Sequence, residues 1–326
     1  MITRRLLCAS LLAAPAIISS PSPLFAQDYP SRPIRLIVPY AAGGGTDAIA
    51  RLVAQMTGEK LGQTIVVENI ATAGGNVATQ TAAKAAPDGY TILMANQGPM
   101  AVNPHMFKSL KIDTLTAFTP ITLIAAAPLV VVVPKASEFQ TFKQLVDYAK
   151  ANPGKLTYGS AGNGSASHLA TLLLNYVAKT DTVHVPYRGA GPAIADVLGG
   201  QTQFIITTIP SVAGMIQTGQ MRALAVTSKE RVPTLPDVPT IAENGWPDYE
   251  SAAWYGFVAP AGTPTEIIDK LNKAVVDALK EAAVGKRLSQ EGAKPIGNTA
   301  AEFGTFIAAE HKRWGEIVKA ANLSLN

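Results

Sequence analysis

Cysteine is almost absent. The single one in 326 residues is Cys8, and it stands in a stretch that the mature chain is expected to lose. That leaves no disulfide and no thiol chemistry. Histidine is scarce too: His105, His168, His184 and His311 are the only four, and no two of them have a metal-ligand spacing. The chain contains no Gly-x-Ser-x-Gly elbow, no Gly-x4-Gly-Lys-Ser/Thr phosphate loop and no His-Glu-x-x-His. Gly43-Gly44-Gly45 lacks the Gly-x-Gly-x-x-Gly spacing of a dinucleotide site. Charged residues make up only 15%, with no lysine/arginine stripe of the kind that nucleic acid needs. No cofactor, no metal and no nucleic-acid partner is expected.

Beyond the start, no segment is apolar for long enough to span a bilayer. Arg4 and Arg5 precede an apolar stretch from Leu6 to Ile18, then Ser/Pro-rich residues and a small residue before Gln27. This is the pattern of a secretory signal peptide over residues 1–26, and it is too short to span a bilayer as a mature helix. The paired arginines permit twin-arginine as well as ordinary export. Lysine and arginine number 27 against 23 acidic residues. Loss of Arg4 and Arg5 leaves an excess of about two, so much of the basic character belongs to the leader. A soluble, exported protein is expected.

What is abundant is β-branched residues alternating with glycine loops. Ile34 to Val38 reads as a buried parallel strand, ended by Pro39. Gly43-Gly44-Gly45 turns the chain, and Thr46 is placed to cap a helix from Asp47 to about Gly58. A strand from Thr64 to Glu68, a loop holding Gly74-Gly75, a helix from Asn76 to about Ala85 and a strand from Tyr90 to Met94 complete a β-α-β-α-β unit. The device recurs. Strands Leu156–Ser160, Thr182–Val185 and Phe204–Thr208 alternate with helices opening near Ser167 and Pro192. Val38-Pro39-Tyr40 reappears as Val185-Pro186-Tyr187, at a non-equivalent junction. The expected fold is α/β with two lobes, each a mostly parallel sheet flanked by helices, and a ligand cleft between them. The long run Ile121–Val133 and the return Tyr249–Val258 should cross between the lobes. Thr141 to Gln144 reads as a capping box, and so, further on, do Thr263 to Glu266 and Thr299 to Glu302. The latter two open a helix to about Ala283 and a last one to about Ala320, both expected to pack on the first lobe. The boundaries are 27–127 plus 251–326 for lobe one and 128–250 for lobe two.

Free N–H groups at helix starts attract anions. Tyr40 and Tyr187 could wall the cleft or be ordinary rim aromatics. Arg188 could pair with an anion or be a solvated loop charge. Thr207 and Thr208 end a strand facing the cleft. Asp47 could be a base, but in a first helical turn it more simply serves the dipole. His168 lies one turn after Ser165; a Ser–His catalytic pair is conceivable, and a serine cap beside a packing histidine is the simpler reading.

Ile37-Val38-Pro39-Tyr40-Ala41-Ala42-Gly43-Gly44-Gly45-Thr46-Asp47 resembles the first signature of the Bug family, the periplasmic solute-binding proteins of tripartite tricarboxylate transporters. Val66-Val67-Glu68-Asn69 with Ala73-Gly74-Gly75-Asn76, Ala86-Pro87-Asp88-Gly89-Tyr90-Thr91, Val185-Pro186-Tyr187-Arg188-Gly189 and Leu235-Pro236-Asp237-Val238-Pro239-Thr240 extend the likeness over the mature chain. The resemblance implies a type II-like periplasmic binding fold. It would close on a small organic acid (a di-, tri- or aromatic carboxylate) and hand it to membrane permease subunits, without enzymatic activity. It implies that Ala41, Gly43, Gly44, Gly45, Thr46 and Asp47, with Ala73, Gly74, Gly75 and Asn76, hold a carboxylate largely through backbone N–H groups. Lobe two would discriminate through Ser160, Ser165, His168, Tyr187 and Thr208. The loop Asn69–Gly75 lacks the arginine and proline common in the family, and no aspartate stands near Thr207-Thr208, so an amino acid is not the implied ligand. A receptor docking on a sensor instead of a permease, or an enzyme on the same fold using Asp47 or His168, are the alternatives.

Overall fold

The computed structural model of the chain describes residues 29–43, 45–71, 73–107, 109–290 and 292–320. The expected leader, and Gly44 in the first glycine loop, lie outside the described residues.

The first unit consists of β1 (Ile34–Val38), α1 (Gly45–Leu61), β2 (Ile65–Asn69), α2 (Asn76–Ala83) and β3 (Thr91–Asn96). β1 lies between β2 and β3, parallel to both. Its Ile34, Leu36, Ile37 and Val38 are fully buried, because helices cover both faces of such a sheet. α1 turns Ile49, Ala50, Val53 and Ala54 onto it, spaced by three and four residues. A π-helical turn at Gly98–Val102 and the short α3 (Asn103–Met106) follow.

β4 (Phe118–Pro134) is then a single 17-residue strand. The second unit is α4 (Phe142–Ala151), β5 (Thr157–Ser160), α5 (Ala166–Ala178), β6 (Val183–Pro186), α6 (Ala190–Leu198), β7 (Phe204–Thr208), α7 (Ile209–Gln217) and β8 (Met221–Val226). It repeats the first arrangement, with β5 lying parallel between β6 and β7. Thr141 and Gln144 form the capping box that starts α4. β9 (Ala252–Pro260) returns, followed by α8 (Thr265–Leu279), α9 (Ala282–Gln290), β10 (Lys294–Pro295) and α10 (Ala300–Ala320).

The two long apolar runs form β4 and β9. β4 pairs antiparallel with β9 from Phe118 to Pro128, then with β7 and β8 from Leu129 onward. β9 also pairs antiparallel with β3. At the changeover, the fully buried Thr227 joins both crossings. Its Oγ1 accepts from Leu129 N (2.7 Å) and donates to Ser251 O (2.7 Å).

Three local expectations change. α1 begins at Gly45, so Thr46 sits inside the first turn instead of capping it. Thr263 does not form a box with Glu266: its hydroxyl closes the turn after β9 by donating to Pro260 O (2.7 Å), and Pro264 takes the cap position. The helix expected to reach Ala283 breaks after Leu279, and the break lets Val284 and Leu288 of α9 turn into the same core as Leu279. The Thr299–Glu302 box does form. α8 and α9 pack on the first lobe, whereas α10 is shared. Phe303 and Ile307 join a first-lobe core with Trp254. Trp314, Ile317 and Val318 join the core holding Leu129, Tyr158, Leu169 and Phe204 of the second. Among the described residues no helix is long and apolar enough to cross a membrane.

Candidate functional site

A cleft of about 960 Å³ lies where the carboxyl ends of the parallel strands from both units face each other, the position at which open α/β sheets bind ligands. The first lobe contributes the loop after β1 (Tyr40–Gly43, Gly45, Thr46), the loop after β2 (Ala71, Gly74, Gly75) and the end of β3 (Asn96, Gln97, Gly98). The second contributes Gly162, Asn163 and Ser165–Ser167 after β5, Pro186–Gly191 after β6, and Thr207, Thr208 and Ser211 around the end of β7. Ala253, Trp254 and Tyr255 of β9 also line it. The starts of α1, α2, α5, α6 and α7 therefore all reach the cleft. Arg188 is the one charged side chain lining it among the described residues, and no acidic one does.

The β1 loop is braced from behind. Asp47 accepts from Gly43 N (2.9 Å), Arg51 Nε (3.0 Å) and Asn69 Nδ2 (2.9 Å). Asn69 Nδ2 also donates to Tyr40 O, and Arg51 Nη2 donates to Asn69 Oδ1. Burial pushes the Asp47 carboxyl up, but the bonds from Arg51, Gly43 and Asn69 outweigh it and hold the group below the usual aspartate range. One consequence is that the Gly43 N–H is already taken. The β2 loop is left open. Gly74 (φ 64°) and Gly75 (φ 89°) are left-handed, and no side chain caps α2. A Cβ on Gly75 would lie 2.9 Å from both Pro39 and Pro99.

In the second lobe the chemistry is mostly spoken for. Ser165 caps α5 by accepting from His168 N (3.4 Å). His168 Nδ1 accepts from Gly164 N (3.1 Å), so the neutral ring carries its proton on Nε2. That ring stacks on His184 (centroids 4.0 Å, 17°), which stacks on Tyr158 (4.9 Å). His184 Nε2 bonds Ser160 Oγ at 2.6 Å, and that oxygen accepts from Gly162 N. Burial, then the neighbouring His184, pull the His168 pKa down to about 3; burial pulls His184 to about 4. Both are structural, neutral rings. Tyr187 OH donates to Asp196 (2.7 Å), which together with burial raises its pKa to about 12. Thr208 Oγ1 and Ser211 Oγ bond each other at 2.7 Å.

Of the residues singled out from sequence, Tyr40, Ala41, Gly43, Gly45, Thr46, Gly74, Gly75, Ser165, Tyr187 and Thr208 come together around the cleft. Asp47, Asn76, Ser160 and His168 do not line it. They are buried behind its loops, each satisfied by the partners just given; Asn76 Oδ1 accepts from Asn103 Nδ2 (2.7 Å). Gly44 lies outside the described residues. Sequence reasoning missed Arg51, Asn69 and Asn103 as braces, and Gln97, Gly98, Phe107 and Ser167 as walls. A polar residue closing a strand just before a glycine loop, as Asn69 does, was the available signal for a brace.

Along one flank the lobes touch backbone to backbone. A Cβ on Gly98 would fall 2.0 Å from Gly164 O, and one on Gly74 would fall 2.8 Å from Asn163 O. Asn103 backs this seam. It donates to Gly74 O (2.9 Å), and its Oδ1 would lie 2.4 Å from a Cβ on Gly164.

A family profile described as "Tripartite tricarboxylate transporter family receptor" matches residues 49–323. Protein BugT of Bordetella pertussis is 36% identical over 324 residues, 99% of each chain. The structure of Rpa4515 of R. palustris with adipate superposes with a TM-score of 0.85 at 36% identity, covering 91% of this chain and 99% of that one. MatC of Rhodopseudomonas palustris with bound malate superposes at 0.83 and 34% identity, covering 89% and 100%.

Proposed function

Because the chain belongs to the tripartite tricarboxylate transporter receptor family, we propose that it is a periplasmic receptor that captures a small organic carboxylate and delivers it to a membrane permease. The observation that carries this reading is the convergence of five helix starts on one cleft without an acidic side chain among its described lining residues. Helix N-termini and backbone N–H groups favour an anion and compensate its lost hydration without a buried counter-charge. Relatives solved with adipate and with malate support an organic acid as cargo. The lobes are residues 27–127 plus 251–326 and residues 128–250, hinged on β4 and the stretch before β9. The mature protein starts near Gln27 and works as a monomer.

The reading is of a binding protein and not an enzyme. Asp47 has its carboxylate occupied by three donors, and His168 is a neutral ring holding Gly164. Neither lines the cleft, so neither is placed to act as a base on a bound ligand.

A thermal-shift panel of mono-, di-, tri- and aromatic carboxylates on the mature protein tests the reading. A ligand at 100 times its Kd adds about 2.7 kcal/mol of stability, a clear rise in Tm. No shift with any carboxylate, together with mass spectrometry finding none retained from expression, would overturn it, as would turnover of a bound acid.

A further inference from the structure

Between β3 and β4 the chain passes from one core to the other within a single turn. Met100 is buried with Trp254 and Phe303 in a first-lobe core, whereas Ala101, Val102 and Met106 are buried with Leu169 and Phe204 in the second. The turn is π-helical, a rare form that is often found at functional sites. Residues 98–106 therefore link the lobes, in addition to β4 and β9.

Asn103 stands in this link. Its side chain is fully buried, and chemistry assigns both ends of its amide. Gly74 O is a carbonyl and can only accept, so the amide nitrogen faces it (2.9 Å) and also donates to Asn76 Oδ1 (2.7 Å). The amide oxygen is left on the other side, buried and without a hydrogen-bond partner. A Cβ on Gly164 would lie 2.4 Å from it, so a Cα–H of Gly164 points at it, a weak donor at most. An unmet buried acceptor costs stability, and its retention calls for a reason. One side chain thus grips the β2 loop of the first lobe and rests on the β5 loop of the second. The grip has a further effect. In a planar trans peptide, C=O and N–H point in opposite directions. By holding the Gly74 carbonyl, Asn103 fixes the Gly75 N–H on the side away from itself. Gly74 and Gly75 line the cleft, and Asn103 does not.

We propose that Asn103 is a positioning residue for the carboxylate site: it aims the Gly75 N–H at the ligand and ties that aim to the position of lobe two. This rests on the carboxylate-receptor reading and deepens it. Asn103 makes no ligand contact of its own. When lobe two moves, α3 moves with the core that holds Val102 and Met106, and the hold on Gly74 O moves with it. The β2 loop has its binding shape only while the second lobe is in place, so capture and closure are one event.

Hydrogen exchange on the ligand-free mature chain and isothermal titration test this on the wild type, Asn103→Leu and Asn103→Asp. Leucine keeps the volume but has neither donor nor acceptor. Aspartate keeps the shape but has no N–H for Gly74 O. In Asn103→Leu, amide exchange should rise about tenfold at Gly74–Asn76 and at Gly162–Gly164, loops of different lobes, while β1 stays protected as in the wild type. Acceleration at Gly74–Asn76 alone would overturn the link between lobes, and equal acceleration everywhere, β1 included, would mark a merely structural role and overturn the proposal. With the tightest binder among succinate, adipate, citrate and benzoate, both variants should raise Kd about tenfold, the loss of one bond to a charged group, chiefly through faster dissociation. A Kd within about threefold of wild type in both would overturn the positioning role and leave the receptor reading standing. Binding of none of these acids by the wild type would remove the receptor reading and the ligand role of Asn103 with it, and the exchange pattern would still decide whether Asn103 links the lobes.

Discussion

Replacing Gly98 by alanine should hold the lobes apart while leaving each of them folded. Gly98 has no left-handed φ, and alanine is the better helix former by about 1 kcal/mol, so the local backbone accepts the change. The obstacle is across the cleft. The new methyl would lie 2.0 Å from Gly164 O, whereas carbon and carbonyl oxygen rest at about 3.3 Å. The seam must therefore open by about 1.3 Å. The Gly164 loop is tied to α5 through His168 Nδ1 (3.1 Å), so the loop and the start of α5 move together and carry Ser165 and Ser167 with them. A ligand spanning both lobes would see a hydrogen bond of about 2.8 Å stretched to about 4 Å, which is no longer a bond. Each lost charge-assisted bond costs about 1.5–3 kcal/mol, or about 10- to 100-fold in Kd. Isothermal titration of the variant with the best acid from the panel reads this directly. Gly285→Ala on α9, where nothing lies within 4 Å of a Cβ, serves as the neutral control. A Gly98→Ala protein that binds within threefold of wild type, with an unchanged radius of gyration in solution scattering, would refute the reasoning. It would mean that the seam yields without disturbing the site.

Acid should destabilise the fold through the stacked histidines. Their pKa values are about 3 and about 4 in the folded chain, against about 6.5 in an unfolded one. The unfolded state therefore takes up protons first. Stability is complete above about pH 6.5 and falls as pH drops towards pH 4, by about 1.4 kcal/mol per pH unit for each ring. Urea midpoints between pH 7 and pH 4.5 would follow this slope, and His184→Phe should reduce it to about half; an unchanged slope in that variant would count against the assignment. Asp47→Ala should release the β1 loop. It frees the Gly43 N–H and leaves Arg51 and Asn69 without their shared acceptor, so a loss of about 1–3 kcal/mol in chemical denaturation is expected, with weaker carboxylate binding. Unaltered affinity would show that the loop holds its shape without the brace.

The repeated units, the long crossing strand and two of the capping boxes could be read from sequence because each is encoded locally. Alternating apolar residues, a glycine at the loop, and Thr–x–x–Gln or Thr–x–x–Glu leave a mark within ten residues. The failures are of a different kind. Thr263 and Glu266 have the spacing of a box, but Pro260 O, on the preceding strand, reaches the hydroxyl first. Ser165 and Ser167 are equivalent in sequence terms. Only the entry angle of α5 decides that Ser165 caps the helix and Ser167 faces the cleft. The residues around His168 read correctly as a serine cap beside a packing histidine; it was the family resemblance that implied a ligand-facing side chain, yet the ring turns inward onto His184, sixteen positions later in the chain and on an adjacent strand. No periodicity reports which donors are already occupied, as the Gly43 N–H is, since that depends on Asp47 and Asn69 meeting from two elements.

The crossing topology also sets when this protein can be finished. β3 forms its sheet with β9, which emerges from the ribosome about 150 residues later, and the second core closes only when Trp314 and Ile317 of the last helix arrive. At about 5–20 residues per second, the nascent chain spends on the order of ten seconds with the edge of β3 unpaired and its central apolar strands uncovered. Neither core is complete until residues beyond position 300 have been made, Phe303 and Ile307 for one and Trp314 and Ile317 for the other.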